Sequence, residues 1–351
     1  MIAWLSMAMA LEGRPMGADV PEPELNVRGE LAGRAFATYP TSGVSRGFAL
    51  PRARLSILVR GPHGASVRVA TVAARSGGQA GYIGIDGETF VPRIQIAEAR
   101  LDAPQIGLAA AAGVVDDLWV GTHQPAWGLP EVAGEVTLVS GLQDRADLGG
   151  WVSWTGPEAR ISASLSAVTG EGERRRERNN GADVAGLVTV RPWVSDAGTL
   201  TVRAYGKEGS RGAAQARNHR LGGSVGLDTP KVIAGAMTMA GWGSAADGSL
   251  DPFEVEAHVR TGRSLPFVAW GRLDLLWADR DAPDTRSTIA RIGGGPRLPL
   301  KSDAPFWLGV GWEGSRHQAQ AGPVAGVVSG SDMVFVQLSA DVKASVPLGS
   351  R

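Results

Sequence analysis

The chain has 351 residues, with 35 basic and 35 acidic side chains, a formal net charge of zero and 43% hydrophobic residues. Zero net charge leaves no electrostatic footprint for nucleic acid, and the lack of cysteine excludes disulfides, thiolate nucleophiles, iron–sulfur clusters and a lipid-modified cysteine. A mean hydropathy of −0.03 is that of a soluble protein, yet transmembrane β-barrels average to the same value because lipid-facing and lumen-facing residues cancel.

Residues 1–10, Met1-Ile-Ala-Trp-Leu-Ser-Met-Ala-Met-Ala10, are apolar and end in an Ala-x-Ala pattern. They read as a truncated secretory signal that lacks a basic n-region, followed by an N-terminal periplasmic segment over 11–24. A membrane-spanning helix needs about 20 consecutive apolar residues, and runs such as 232–246 are too short and too rich in glycine. From Leu25 onward a different periodicity takes over. Leu25, Val27, Gly29, Leu31, Gly33, Ala35 and Ala37 alternate with Asn26, Arg28, Glu30 and Arg34. Ala53, Leu55, Ile57 and Val59 alternate with Arg52, Arg54, Ser56 and Arg60, and Ile161, Ala163, Leu165 and Ala167 with Ser162, Ser164 and Ser166. The pattern closes with Val334, Val336, Leu338, Ala340, Val342, Ala344 and Val346 set against Gln337, Ser339, Asp341, Lys343 and Ser345. A period of two marks a strand with one dry and one wet face. The 334–346 segment, at about 3.3 Å per residue, spans roughly 43 Å, enough to cross a membrane at a barrel tilt of about 35–45°.

Sixteen such segments are predicted, starting near 25, 49, 65, 93, 106, 144, 159, 182, 198, 219, 232, 253, 267, 286, 306 and 332; those at 93, 106, 232 and 286 alternate poorly. Short Gly/Pro/Asp turns (61–64, 103–104, 156–158, 196–198, 229–231) alternate with longer stretches (76–92, 116–143, 170–181, 207–218, 315–331). Short turns on one rim and long loops on the other define an up-and-down membrane barrel. The fold expected is therefore an all-β transmembrane antiparallel barrel of about sixteen strands over 25–346, with periplasmic turns, extracellular loops and a C-terminal tail at 347–351. Tyr39, Phe48, Trp154, Trp193, Phe253, Phe267, Trp277, Phe306 and Trp312 fall near strand ends, where interface girdles sit.

Four landmarks occur in the order found in the phosphate- and pyrophosphate-selective porins of bacterial outer membranes. They are Phe48-Ala-Leu-Pro-Arg-Ala-Arg-Leu55, Ala99-Arg-Leu-Asp-Ala103, Asn179-Asn-Gly-Ala-Asp-Val-Ala-Gly-Leu-Val-Thr-Val-Arg-Pro192 and Asp332-Met-Val-Phe-Val-Gln-Leu338. The chain resembles that family. The resemblance implies a sixteen-stranded, usually trimeric barrel in the bacterial outer membrane, with the third long loop folded into the pore. Two features depart from the family: the chain continues past Val346 to Arg351 without a terminal aromatic, and it has only four lysines (Lys207, Lys231, Lys301, Lys343) where lysine-rich sites carry phosphate selectivity.

Alternation points Arg28, Arg34, Arg52, Arg54 and Arg68 into the lumen. The loop 116–143 carries Asp116, Asp117, Glu131 and Glu135 and no Arg or Lys. Together these nine residues are the expected lining of a constriction, with carboxylates facing an arginine wall across a transverse field that filters solutes by size and charge. The alternative is that the arginines pair with Glu30 and other lumen acids and only stiffen the barrel. Arg174-Arg-Arg-Glu-Arg178 reads as a solvated loop tip, with lipopolysaccharide phosphates as the other reading. Gly309-x-Gly311-x-x-Gly314 lies within a strand and is no dinucleotide fingerprint. His63, His123, His219, His258 and His317 show no metal-ligand spacing. The function expected is passive diffusion of small polar or charged solutes, with no cofactor and no enzymatic activity. The alternatives are a plugged structural or adhesive barrel, or an enzyme on a smaller barrel, for which the sequence shows no Ser/His constellation. Leu338→Arg should place a charge in lipid, whereas Ser339→Arg should enter the lumen and be tolerated.

Overall fold

In this computed structural model the described residues are 23–39, 44–75, 90–130, 132–134, 136–140, 142–170, 181–211, 216–243, 250–282, 285–298, 306–317 and 330–348. The first strands are β1 (Glu24–Tyr39), β2 (Ser45–Arg60), β3 (Ala65–Arg75), β4 (Phe90–Ala103) and β5 (Leu108–Asp116). Two helices follow, α1 (Leu118–Trp127) and α2 (Val136–Val139). The sheet resumes with β6 (Ala146–Thr155), β7 (Ile161–Val168), β8 (Asp183–Ser195) and β9 (Gly198–Glu208). A short hairpin of β10 (Ser210–Arg211) and β11 (Ala216–Arg217) precedes β12 (His219–Asp228), β13 (Val232–Trp242), β14 (Phe253–Thr261) and β15 (Phe267–Trp277). The last are β16 (Arg286–Leu298), β17 (Phe306–His317) and β18 (Asp332–Pro347).

All but the hairpin strands join one closed antiparallel barrel of sixteen strands, each paired with its chain neighbour. Closure comes from β1 against β18, in register from Glu24↔Pro347 to Tyr39↔Asp332 without a break. The pleat sends alternate residues outward, and the outer wall is an apolar belt: Leu165 is 60% exposed, Ile292 60% and Leu338 49%. That belt has no water-soluble reading and fits hydrocarbon. No helix is long and apolar enough to cross a membrane, so the crossing is made by strands. Bulges interrupt the register at Ala32/Arg34, Ala70/Thr71 and Val190/Trp193, the last beside Pro192, which cannot donate to a ladder.

The short connections at 61–64, 104–107, 156–160, 196–197 and 229–231 gather on the rim that also carries both ends of the barrel. Two of them use Pro-initiated turns with left-handed backbone at His63 (φ 57°) and Glu158 (φ 55°). The opposite rim carries the longer connections, with one exception: β1 and β2 are joined by 40–44 alone. The sequence expectations over 1–22, for loop tip 174–178 and for Glu131 and Glu135 fall outside the described residues.

Candidate functional site

The connection after β5 enters the barrel instead of leaving it. Asp117 accepts from the amides of Trp119 (2.9 Å) and Val120 (3.1 Å), an N-cap that starts α1 at the strand end. Gly128 ends the helix in the left-handed region (φ 71°), and the Arg260 guanidinium occupies the space a Cβ there would need. Arg260 Nε donates to the Trp127 carbonyl at 2.6 Å, placing a cation on the helix C-terminus. With its ends capped, α1 presents Trp119, Val120 and Trp127 to the wall, each at most 1% exposed. Trp119 and Val120 join lumen-facing Leu187, Tyr205, Met237, Met239, Leu276 and Ile289 in one apolar cluster. Trp127, Leu129 and Val132 join Val268, Trp270, Trp307 and Phe335 in a second. Glycine makes the second possible, because a Cβ at Gly293 would strike the Trp270 ring and one at Gly311 the Phe335 ring.

Wall side chains pin this segment at several points. Arg34 Nη2 donates to the Val132 carbonyl (2.9 Å) and to Gln337 Oε1 (2.7 Å), with its Cζ 4.1 Å from the Phe335 ring centre. Arg220 Nε donates to the Leu142 carbonyl (2.9 Å), and Tyr205 donates to Asp117 (3.2 Å). Arg68 bridges Glu98 (2.9 Å) and Asp116 (2.6 Å) where the segment leaves β5.

The expected lining residues therefore divide. Arg28 donates through Nε and Nη2 to the two oxygens of Asp341 (2.8 Å each) and lies 3.1 Å from Glu30, while Arg52 pairs with Glu30. Arg34 and Arg68 anchor the inward segment. Arg54 alone of the five makes no side-chain hydrogen bond or ion pair to a described residue, and its Nε is buried without a partner. Asp116 and Asp117 stand at the root of the segment, one on Arg68 and the other capping α1, so neither faces the arginines across the lumen. Burial raises the pKa of Asp117 above the usual carboxylate range, against the pull of Lys207 and the capping amides.

Arg145 is the residue that the sequence reading missed. It lies just past the loop bounds 116–143 and is 8% exposed, with its Nε unpartnered and no side-chain ion pair among the described residues. Burial, then the charges of Arg52 and Arg54, push its pKa down to about 10, with Asp116 and Glu30 opposing. Arg54 and Arg145 thus belong to one cationic patch on the β1–β3 side. A Ser–His pair does exist, with Ser287 Oγ 2.6 Å from His317 Nδ1 and Ser287 fully buried.

No protein-family model matches the chain, and no curated protein matches it. Solved structures do match. The anion-selective porin from Comamonas acidovorans aligns at a TM-score of 0.61 and 9% identity, over 92% of this chain and 100% of that one. The outer-membrane channel DcaP of Acinetobacter baumannii aligns at 0.58 and 14% identity, over 92% and 98%. Outer-membrane-expressed OmpT of Vibrio cholerae aligns at 0.56 and 8% identity, over 92% and 98%. At such identities the likeness is one of fold. The chain shares with these outer-membrane structures the fold of a closed sixteen-stranded antiparallel barrel. None of these three structures is described as phosphate-selective.

Proposed function

We propose that this protein is a diffusion channel of the bacterial outer membrane that favours small anions, with Arg54 and Arg145 as the selecting charges. A sixteen-stranded barrel leaves room for water, whereas about eight strands would be filled by side chains. The observation that carries the anion preference is the pair of interior guanidiniums that make no ion pair within bonding distance of a described carboxylate. Guanidinium forks match carboxylate and phosphate oxygens and are weakly hydrated, so they exchange bound anions for water readily. The porin-like neighbours support channel function in general, and one of them is described as anion-selective. Phosphate is one anion to test; the resemblance in the sequence landmarks is its support. A homotrimer is part of the same reading, supported by the trimer form recorded for a Vibrio cholerae neighbour.

In a planar bilayer under a salt gradient, the wild type should show stepwise openings with an anion-selective reversal potential. Arg54→Ala combined with Arg145→Ala should lower the anion-to-cation permeability ratio several-fold. Unchanged selectivity in the double variant rejects the assigned residues. Silence of a heat-modifiable, folded wild-type barrel rejects the channel and favours a plugged structural barrel.

A further inference from the structure

The most unusual grouping in the interior is a pair of buried imidazoles on opposite sides of the seam between α1 and the wall. His123 belongs to α1 and His258 to β14; they are 2% and 6% exposed, and their ring centres stand 6.3 Å apart, edge to face. Trp119 stacks on His123 at 5.2 Å with rings 4° from parallel, and Trp127 meets His258 at 5.2 Å. The Trp119–His123 stack lies within α1, whereas the Trp127–His258 contact and the His123–His258 edge cross from the helix to the wall. His123, the buried helix partner in that crossing, is a side chain that can take up a proton.

We propose that this seam is a proton-operated latch, in which protonation of His123 frees α1 from the wall and alters the width of the pore. The charged groups around the pair set the direction of the effect. On β14, Glu256 Oε1 accepts from His258 Nδ1 at 2.9 Å, and Glu254 lies two residues away. On β15, Arg272 holds Glu256 at 3.0 Å and Asp274 at 2.8 Å, with its Cζ 5.4 Å from the Trp127 ring. On β9, Arg203 acts on His123 and Tyr205 sits against Trp119 at 5.7 Å. On β12, Arg220 is engaged by the Leu142 carbonyl and Asn218. A proton on His123 adds a cation to a closed space already holding Arg203 and Arg272, and Glu256, the carboxylate nearest to answer it, is already paired with Arg272.

Burial first, then these neighbouring cations, hold the His123 pKa down to about 4, with Glu256 opposing. A released helix would return the ring to its ordinary value of about 6.5. The folded value lies below the free one, so docking is fully favoured above about pH 6.5 and weakens as the pH falls toward 4. On that difference alone the docked-to-released ratio drops on the order of 100-fold by pH 4.5. Acid also acts on the Asp117 cap, and the test separates the two.

Hydrogen exchange over 117–145 and single-channel current, both recorded at pH 7 and pH 4.5, decide the matter. The latch rests on the channel reading only for the current; the exchange measurement stands without it. Wild-type protein should lose protection in the segment at pH 4.5 while the strands keep theirs, and the current should change reversibly. The double variant His123→Phe, His258→Phe keeps the ring contacts and should show neither effect, with His123→Gln, His258→Gln as the second form if the first does not fold. Asp117→Asn should still respond. Wild-type protection unchanged at pH 4.5 overturns the proposal, and so does an equal response in the histidine double variants.

Discussion

The two sides of the barrel interior are built on the same strand pattern and handle charge differently. Along β14 to β17, beneath the inward segment, Glu256, Arg272, Asp274, Arg291 and Glu313 form a continuous chain of pairs, with Arg272–Asp274 at 2.8 Å and Arg291–Glu313 at 2.6 Å. Across the lumen, on β1 to β3 and the adjoining β18, Glu30 and Asp341 answer Arg28 and Arg52, and Arg54 is left over with Arg145 close by. An ion that is sealed from water needs a partner within bonding distance. Where the segment covers the wall, every cation named there has one. The comparison teaches that the same alternating arginine can be a structural pin or an electrostatic filter, according to what covers it.

Trp127→Ala should have the largest effect, because it removes a ring that is 1% exposed and packed on Trp270 and Trp307's cluster. Such truncations cost about 3–5 kcal/mol. The loss should appear as early exchange over 117–145 and a lower unfolding temperature; a segment that keeps full protection would mean that the covered side is not held by packing. Leu338→Arg comes next, placing a cation on the lipid face at about 2–4 kcal/mol near the midplane, read as loss of the heat-modifiable band. Lys343→Asp on the lumen face of the same strand should leave that band intact, and equal loss in both would break the assignment of faces. Glu30→Ala should be the mildest for stability: it removes a largely buried carboxylate, 10% exposed, from Arg52, which costs about 1–3 kcal/mol. It leaves Arg52 without its carboxylate while Arg28 keeps Asp341, so the reversal potential should move further toward anions; movement toward cations would show that the β1–β3 side does not act as a filter.

Much of the barrel was legible because strand alternation is a local signal. Predicted starts at 65, 198, 219, 232, 253, 267, 286, 306 and 332 coincide with strand starts, and 25, 182 and 49 fall within a few residues of β1, β8 and β2. The poorly alternating segments have a physical cause. In β13 the lumen side carries Met237 and Met239, and in β16 it carries Ile289, because those faces pack under α1 and must be apolar on both sides. The partnering of the arginines was not legible, since it depends on cross-strand neighbours brought together by closure. Arg28, for example, meets Asp341 across 313 residues of sequence. Arg145 escaped because it sits at the foot of β6, where a loop boundary is least sharp. Ser339→Arg also reads differently in three dimensions: Ser339 does face inward, yet it is 4% exposed and accepts from Gln337 Nε2 at 3.0 Å. A large cation there overpacks the wall, so the sequence-based expectation of tolerance does not hold.

The seam between β1 and β18 also bears on how the barrel is made. Every other strand can pair with the neighbour just synthesised, through contacts of short sequence range. The seam joins the first strand to the last, and its ladder runs the full length of both. Loop closure over so long a chain is the slowest kind of contact to form. Until it forms, two long edges with unpaired amides stand open to any other strand. The rate-limiting event in assembly should therefore be the meeting of 24–39 with 332–347, and a chain stopped short of Asp332 would be left as an open, sticky sheet.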